Sequence, residues 1–259
     1  MKAGARTDPF RRVDFADLHH RLRGHLNRMT TTHVPWQVQI QGLTSDLEYL
    51  THYFGVGPTR VVRDAQYSFV FEADAFVSCS SPEEVLTIAE KELSVLSGLL
   101  KFERGSRESL RCGAVYKRNE AGGRDVSVQS RASFRLRADI GGTSPRMLAW
   151  ARLAASDAAV AKVLRLQDSE DAKSWVGLYR IHEVITSDVG GESILEKRGW
   201  APRNAIKRFE HSANSVTVAG DRARHGKEPT KPPKKPMALD EAEALVLGVV
   251  QGWLASKVT

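Results

Sequence analysis

The sequence predicts an α+β protein in which a small sheet module is followed by a bundle of helices. Through residues 33–141 the apolar side chains recur chiefly at every second position, as in half-buried strands. From residue 142 onward they recur at every third or fourth position, as in amphipathic helices. The period changes at Gly141-Gly142. We therefore place a boundary there, between a mixed α/β-sheet module and a C-terminal helical bundle over residues 142–259.

A short amphipathic helix is expected ahead of the module, within residues 1–32. Its apolar stripe comprises Phe15, Leu18, Leu22 and Leu26. Histidines interleave with this stripe, but His19 and His20 are adjacent and point in different directions on a helix. Asp17 and His20 share a face without a third ligand, so the sequence predicts no metal site there.

The module begins with a strand, because Trp36, Val38 and Ile40 alternate with glutamines. Further strand patterns cover residues 67–72, 110–116 and 126–136, and a hairpin connection joins the last two. A short helix capped within residues 44–46 is expected between the first two strands. The clearest helix start is Ser81-Pro82-Glu83-Glu84, which offers an N-cap serine, a proline at the first helical position and a capping-box glutamate.

The C-terminal half reads as a bundle of about five helices. The first is expected to begin at Ser144-Pro145, the second covers Asp157 to about residue 166, and the third extends from a cap at Asp168 or Ser169 to Gly190. The fourth is expected to begin at Arg203, and the fifth covers Asp240 to about Lys257. His182 falls on the apolar stripe of the third of these helices. We expect a hydrogen-bonded core histidine there rather than a catalytic one.

Composition narrows the class of protein. With 259 residues, of which 41% are hydrophobic and 27% charged, the chain is expected to fold as a globular protein. It has no run of about 18 apolar residues and no apolar leader, so we expect no membrane span and a cytoplasmic location. Cys79 and Cys112 form no CxxC pair, and neither a structural metal nor a cofactor is predicted. The net charge of +7 favours RNA or another polyanion as partner.

The most informative stretch covers residues 200–226. It starts as a basic amphipathic helix and ends in Gly220-Asp221-Arg222-Ala223-Arg224-His225-Gly226. A permanently charged arginine beside a histidine that titrates near neutrality can bind a phosphate and move a proton. Arg222, Arg224 and His225 are therefore the candidate catalytic residues. The alternative interpretation is a solvated basic turn between two helices.

Polar residues around this stretch are candidates for contact with nucleic acid. They are Arg203, Asn204, Lys207, Arg208, Asn214 and Lys227. More positive charge follows, because residues 221–235 contain six basic and two acidic residues, a local charge of +4. Such a run attracts phosphates, but it also serves simply to keep a loop in solution.

A set of positions within residues 165–259 forms a recognisable pattern. They are Trp175, Leu178-Tyr179, Glu183, Gly199-Trp200, Phe209, Ala213-Asn214, Ala219-Gly220, Ala223-Arg224-His225-Gly226, Pro236-Met237 and Asp240-Glu241-Ala242. In this pattern, residues 165–259 resemble the HEPN-like helical domain of bacterial proteins. That superfamily includes metal-independent RNases of toxin–antitoxin, abortive-infection and CRISPR systems, and also non-catalytic members. The resemblance implies an RNA-binding homodimer of a prokaryotic defence or stress system, with an antitoxin or other protein as a further partner.

The chain departs from the catalytic pattern of that superfamily. Active members carry an arginine, usually followed by a polar residue, and a histidine after four to six intervening positions. Arg222 and Arg224 stand closer than that to His225, and seven residues separate Arg203 from His211. In an active enzyme the histidine would exchange the 2′-hydroxyl or leaving-group proton, and the arginine would hold the scissile phosphate.

Two interpretations of function therefore stay open. In one, the chain is an RNA-binding, RNase-like protein whose sheet module serves as a sensor or an oligomerisation part. In the other, it is a non-enzymatic structural or adaptor protein, and the turn around Arg224-His225 stabilises the helices beside it. A small-molecule enzyme in the sheet module lacks support, because the sequence shows no serine elbow, metal cluster or phosphate loop there.

Overall fold

The computed structural model describes residues 34–64, 68–119, 123–128, 146–220, 223 and 233–258. The predicted lead-in helix of residues 1–32 and the boundary at Gly141-Gly142 lie outside the described residues. The predicted strand of residues 126–136 is described only as far as Val128. Within the described ranges, a sheet occupies the N-terminal half and helices occupy the C-terminal half, so the predicted α+β class is confirmed.

Five antiparallel strands form one sheet in the described part of the N-terminal half. They are β1 (Trp36–Gln41), β2 (Thr59–Arg63), β3 (Phe69–Ala73), β4 (Arg111–Arg118) and β5 (Arg124–Val128). The strand order is β2-β3-β1-β4-β5, and Val38 of β1 lies opposite both Phe71 and Val115. Because side chains alternate along a strand, Val38 and Ile40 share one face while the β1 glutamines lie on the other.

Helices connect these strands in a recognisable order. α1 (Thr44–Tyr53) joins β1 to β2, a 3-10 helix (Asp74–Ser78) follows β3, and α2 (Pro82–Arg104) leads to β4. The connectivity β1-α1-β2-β3-α2-β4, with β1 between β3 and β4, is that of the ferredoxin-like, split β-α-β arrangement. β5 extends this sheet beyond β4.

The start of α2 confirms the predicted capping pattern. Pro82 occupies the first position of the helix, and the Ser81 hydroxyl accepts a hydrogen bond from the Glu84 amide at 3.3 Å. The Glu84 carboxylate reaches back and accepts a bond from the Ser80 amide at 2.9 Å. At the other end, Gly105 adopts a left-handed φ of 65°, which glycine tolerates without strain.

The C-terminal half consists of helices in its described part. They are α3 (Arg146–Ser156), α4 (Ala158–Asp168), α5 (Trp175–Val189), α6 (Glu192–Lys197), α7 (Arg203–Ala213), α8 (Val216–Ala219) and α9 (Leu239–Lys257). The sequence patterns predicted the longer ones but not the short helices α6 and α8. Among the described helices, none has the length and apolar character needed to cross a membrane.

Two predicted helix caps are wrong. α1 is not capped within residues 44–46, because its N-cap residue is Leu43 and no side chain makes a cap hydrogen bond there. Neither Asp168 nor Ser169 caps α5; instead the Ser174 hydroxyl accepts a hydrogen bond from the Gly177 amide at 3.1 Å. Asp168 is engaged elsewhere, because its carboxylate pairs with Lys101 at 2.9 Å and accepts a bond from the Ser109 hydroxyl at 2.6 Å. The aspartate therefore ties the end of α4 to α2 and to the approach to β4.

α2 is the element that both halves of the chain share. It packs against β1 and β4 on one side and against α3 and α4 on the other. Gly98 approaches α4 so closely that a Cβ atom at this position would lie 2.0 Å from the Leu164 carbonyl oxygen. A single apolar cluster runs from the sheet through α2 into the helical half. The packing of α2 thus joins the parts of the chain that precede and follow residues 140–144. The domain boundary near those residues stays a prediction.

The close approach at Gly98 predicts a specific cost for a methyl group. Gly98→Ala is expected to lower the free energy of unfolding by about 1–3 kcal/mol, because the new Cβ atom forces α2 and α4 apart. Gly248 in α9 is the matched control, since a Cβ atom there would meet nothing within 4 Å. Gly248→Ala is expected to stabilise by up to about 1 kcal/mol, because alanine favours the helix.

Urea unfolding of both variants measures the difference. A stabilising effect of Gly98→Ala, equal to that of Gly248→Ala, would contradict the close contact between α2 and α4.

Candidate nucleic-acid interface

α7 carries the described part of the predicted interface. Its inner side is buried through Ile206 and Phe209, whereas Arg203, Asn204 and Lys207 are exposed. This two-sided character follows from the helical spacing of the apolar residues in the sequence. α7 therefore presents a polar, basic face to solvent.

An aromatic cluster fixes the inner side of α7 to α5. The centre of the Phe209 ring lies 6.3 Å from that of Trp175, 5.9 Å from that of Tyr179 and 5.5 Å from that of His182. Stacked and edge-to-face contacts of this kind add to the stabilisation that burial gives. The exposed residues of α7 thus lie on a rigidly held helix rather than on a loop.

His182 occupies the predicted core position. Its side chain is buried, and its Nε2 atom lies 3.4 Å from the Thr186 hydroxyl oxygen. Burial lowers the pKa of His182, and the charges of Glu192 and Glu183 oppose that shift. A neutral imidazole in contact with aromatic rings is suited to packing and not to phosphate binding.

Arg208 has a positioning role. Its Nε atom donates to the Lys235 carbonyl at 3.1 Å, and its Nη2 atom donates to the Pro236 carbonyl at 3.4 Å and to the Glu241 carboxylate. Beside it, the Met237 amide donates to the buried Ser212 hydroxyl at 2.9 Å. These bonds hold the chain that enters α9 against α7. Arg208 was predicted to contact nucleic acid, and that contact stays a prediction; its Nε and Nη2 atoms bind the protein itself.

The other predicted residues have different outcomes. Asn214 ends α7 as its C-terminal cap and is half-buried. Four residues lie outside the described residues: Arg222, Arg224, His225 and Lys227. Their convergence on one phosphate therefore stays a prediction. Arg203 and His211 are eight positions apart on one helix. They are separated by about 12 Å along its axis, so they lie near opposite ends of α7.

The structure adds a carboxyl pair that the sequence analysis missed. Glu192 is the first residue of α6, Glu210 lies on α7, and the two carboxyl groups are close enough for Glu192 to act on the pKa of Glu210. Burial raises the pKa of Glu210 to about 7, the hydrogen bond and charge of Glu192 contribute to the rise, and Lys207 opposes it. The two glutamates are eighteen positions apart, so no local sequence pattern predicts the pair.

A large cleft of about 2270 Å³ lies between the end of the sheet and the helical half, away from α7. Six basic and five acidic residues line it. Several of these form ion pairs across its wall, including Lys101 with Asp168 at 2.9 Å and Lys173 with Glu243 at 2.8 Å. Its lining is therefore nearly neutral, and it attracts a polyanion less than the basic face of α7 does.

No protein family, curated protein or solved structure matches this chain. Within the ranges that the structure describes, no group of three or more His, Cys, Asp or Glu side chains could hold a metal ion. The function of α7 is therefore inferred from its own residues.

The Glu192–Glu210 pair predicts a stability that depends on pH. On folding, the pKa of Glu210 rises from 4.5 to about 7, so the stability contributed by its protonated form is complete below pH 4.5 and is lost as the pH rises through about 7. Glu210→Gln keeps a hydrogen-bond donor without the second charge. It is expected to stabilise the protein at pH 8 by on the order of 1 kcal/mol, a value reduced for solvent screening of a half-exposed group.

Thermal melting at pH 5 and pH 8 measures this effect. We expect the variant to gain about 2–4 °C at pH 8 and to match the native protein at pH 5. The same gain at both pH values would show that the pKa of Glu210 is not raised in the folded protein.

Proposed function

We propose that this protein binds RNA through the exposed basic face of α7 and the basic segment that follows it. The observation that supports this best is the exposure of Arg203 and Lys207 on a helix whose other side is anchored through buried Phe209. Lysine and arginine on a rigid element neutralise phosphates without first having to order a loop. Asn204, exposed beside them, adds an amide that can bind a base or a sugar.

Both ends of the basic segment lie beside α7. Gly220 ends α8, which directly follows α7, and the Lys235 carbonyl accepts a bond from Arg208 at 3.1 Å. Lys234 and Lys235 are exposed at that end. The local charge of +4 on residues 221–235 therefore belongs to the segment that joins these two ends.

RNA cleavage in the manner of HEPN-like RNases is the second part of the proposal. In that chemistry His225 would exchange a proton with the 2′-hydroxyl or the leaving oxygen, and Arg222 or Arg224 would hold the scissile phosphate. The resemblance of residues 165–259 to that superfamily supports a role in prokaryotic defence or stress response, carried out in the cytoplasm.

The competing proposal is a non-enzymatic structural or adaptor protein. One observation favours it: Arg208, on the basic helix itself, binds two carbonyls and Glu241 of its own chain. If the arginines beyond Gly220 act in the same way, they stabilise the helices and leave RNA unbound.

Salt dependence separates the two proposals. If α7 contacts phosphates, affinity for a single-stranded RNA should fall with salt, with a slope of log K against log salt of about −0.7 per contact. Arg203→Ala together with Lys207→Ala should flatten that slope by about 1.4. Lys91→Ala with Lys162→Ala is the matched control, because it removes the same charge from exposed positions on α2 and α4. Fluorescence anisotropy titrations between about 50 and 200 mM salt measure the slopes.

Equal slopes for the two double variants would contradict binding by α7, and an absence of salt-dependent binding would leave the adaptor proposal. Arg224→Ala and His225→Ala then test cleavage. If the protein is an RNase, the His225 variant loses cleavage and keeps most of its affinity for RNA. If it is an adaptor, the Arg224 variant has a lower melting temperature and an unchanged affinity for RNA.

We also propose that the protein forms a homodimer through α9. The inner side of α9 is buried in the core through residues such as Val246 and Trp253, while the small residues Ala244, Gly248 and Ala255 are exposed. Small side chains let a second helix approach closely. Light scattering on the full chain at micromolar concentration should give the mass of a dimer, and Gly248→Arg should give that of a monomer. A monomer for the native chain would contradict pairing.

A further inference from the structure

The cleft between the sheet and the helical half has one wall that is held by a polar network. The Lys101 Nζ atom donates to the Ser109 hydroxyl at 2.8 Å and lies 2.9 Å from the Asp168 Oδ1 atom. The same hydroxyl donates to Asp168 Oδ1 at 2.6 Å. α2, α4 and the approach to β4 therefore meet at one fixed point. Gln167 directly precedes Asp168 and also lines the cleft.

Gln41 and Arg111 lie side by side on the sheet next to this network. They are opposite each other in the pairing of β1 with β4, so their side chains share one face and their Cβ atoms are about 5 Å apart. Gly113 leaves room for Gln41, because a Cβ atom at position 113 would lie 3.0 Å from the Gln41 Nε2 atom. Arg111 is two residues from Ser109, so their Cα atoms are at most about 7 Å apart.

Gln41, Arg111 and Gln167, which we call the donor cluster, have unused capacity for hydrogen bonds. The Nε2 atoms of both glutamines are buried, and neither has a hydrogen-bond partner in the described part of the chain. Arg111 is exposed and forms no ion pair or hydrogen bond within the same ranges. A buried donor without an acceptor costs free energy, so two of them in one cleft call for a ligand that accepts.

Apolar surface lies beside the donor cluster. Phe102 directly follows Lys101, is half-buried and lines the cleft together with Trp150, whose ring centre lies 5.3 Å from that of Phe102. Leu247 of α9 is half-buried and lines the cleft as well. The cleft volume of about 2270 Å³ exceeds the roughly 300–1,000 Å³ of an ordinary small-molecule site. The cleft therefore has room for a ligand much larger than an inorganic ion.

We propose that this cleft binds a small organic anion. The donor cluster holds its phosphate or carboxylate group, and its aromatic or apolar part lies against Phe102. Arg111 supplies the positive charge and can bind two oxygens of such a group at once. The terminal amide torsion of a glutamine is soft, so Gln41 and Gln167 can turn their Nε2 atoms toward the same oxygens. This binding is independent of the proposed contact between α7 and RNA.

The other charges of the cleft fit a small anion better than a polyanion. Lys101 and Asp168 neutralise each other in the network, and the exposed residues Arg107 and Glu108 are adjacent, so their charges offset. Glu170 is exposed three positions beyond Gln167, and its charge opposes an anion. Glu170→Gln is therefore expected to strengthen the binding of an anion. Weaker binding would mean that a positive group of the ligand is held there, and it would overturn the assigned class.

Thermal melting of the full chain with four probes tests the inference. AMP and phenylacetate each join an anionic group to an aromatic ring, whereas adenosine lacks the anion and inorganic phosphate lacks the ring. At millimolar concentration, AMP or phenylacetate should raise the melting temperature more than the other two probes do. A rise with AMP alone assigns the group as a phosphate, and a rise with phenylacetate alone assigns it as a carboxylate. No rise with either probe would overturn the inference and leave RNA binding intact.

Two matched variants locate the bound probe. Arg111→Ala should abolish the rise, whereas Arg152→Ala should keep it, because it removes the same charge from an exposed position on α3 outside the cleft. If the rise is instead lost when Arg203 and Lys207 are both replaced by alanine, the probe binds α7. That result would overturn the inference and support the proposed function.

Gln167→Met gives a readout without any ligand. Methionine removes the unpaired donor at nearly the same volume, so the free variant should melt at a higher temperature than the native protein, and the rise caused by the probe should shrink. A lower melting temperature of the free variant would show that the amide stabilises the fold, and Gln167 would then not be a ligand-binding residue.

Discussion

The contact between Gly98 of α2 and Leu164 of α4 is the constraint on which the described structure depends. A helix usually has one buried side, but α2 is covered by the sheet on one side and by α3 and α4 on the other. Two helices can approach this closely only where a side chain is absent, and the Cβ atom that glycine lacks would lie 2.0 Å from a carbonyl oxygen. The position of α4 relative to the sheet is thereby fixed, and the ion pair of Lys101 with Asp168 adds to it.

The position of α7 depends in turn on the packing of the helical half. Phe209 binds it to the aromatic residues of α5, and Arg208 with Ser212 binds the chain that enters α9. Functional side chains on such a helix need no rearrangement before they meet a ligand. The same packing brings α6 beside α7 and places Glu192 against Glu210. The basic face of α7 and the proximity of Glu192 to Glu210 therefore both result from the same arrangement of helices.

Local signals in the sequence predicted much of this fold. The alternation in β1, the Ser81 cap and the apolar stripe of α9 each lie within one element and needed no tertiary information. β2 escaped prediction because Val61 and Val62 are adjacent and point to opposite faces, so the strand has no alternating pattern. For the candidate site, the exposure of Arg203 and Lys207 followed from the helical pattern. The fixed role of Arg208 and the carboxyl pair arise between elements distant in sequence, and no local pattern contains them.

The shared helix has a thermodynamic consequence. The sheet cannot unfold without uncovering one side of α2, and the helical half cannot unfold without uncovering the other. Loss of either half exposes apolar surface that the remaining half cannot bury, so the described parts are expected to unfold in one cooperative transition. A ligand that binds only the folded form of α7 adds its binding free energy to the unfolding of the whole unit. Slower amide exchange in β1, far along the chain from α7, would therefore report that α7 is occupied.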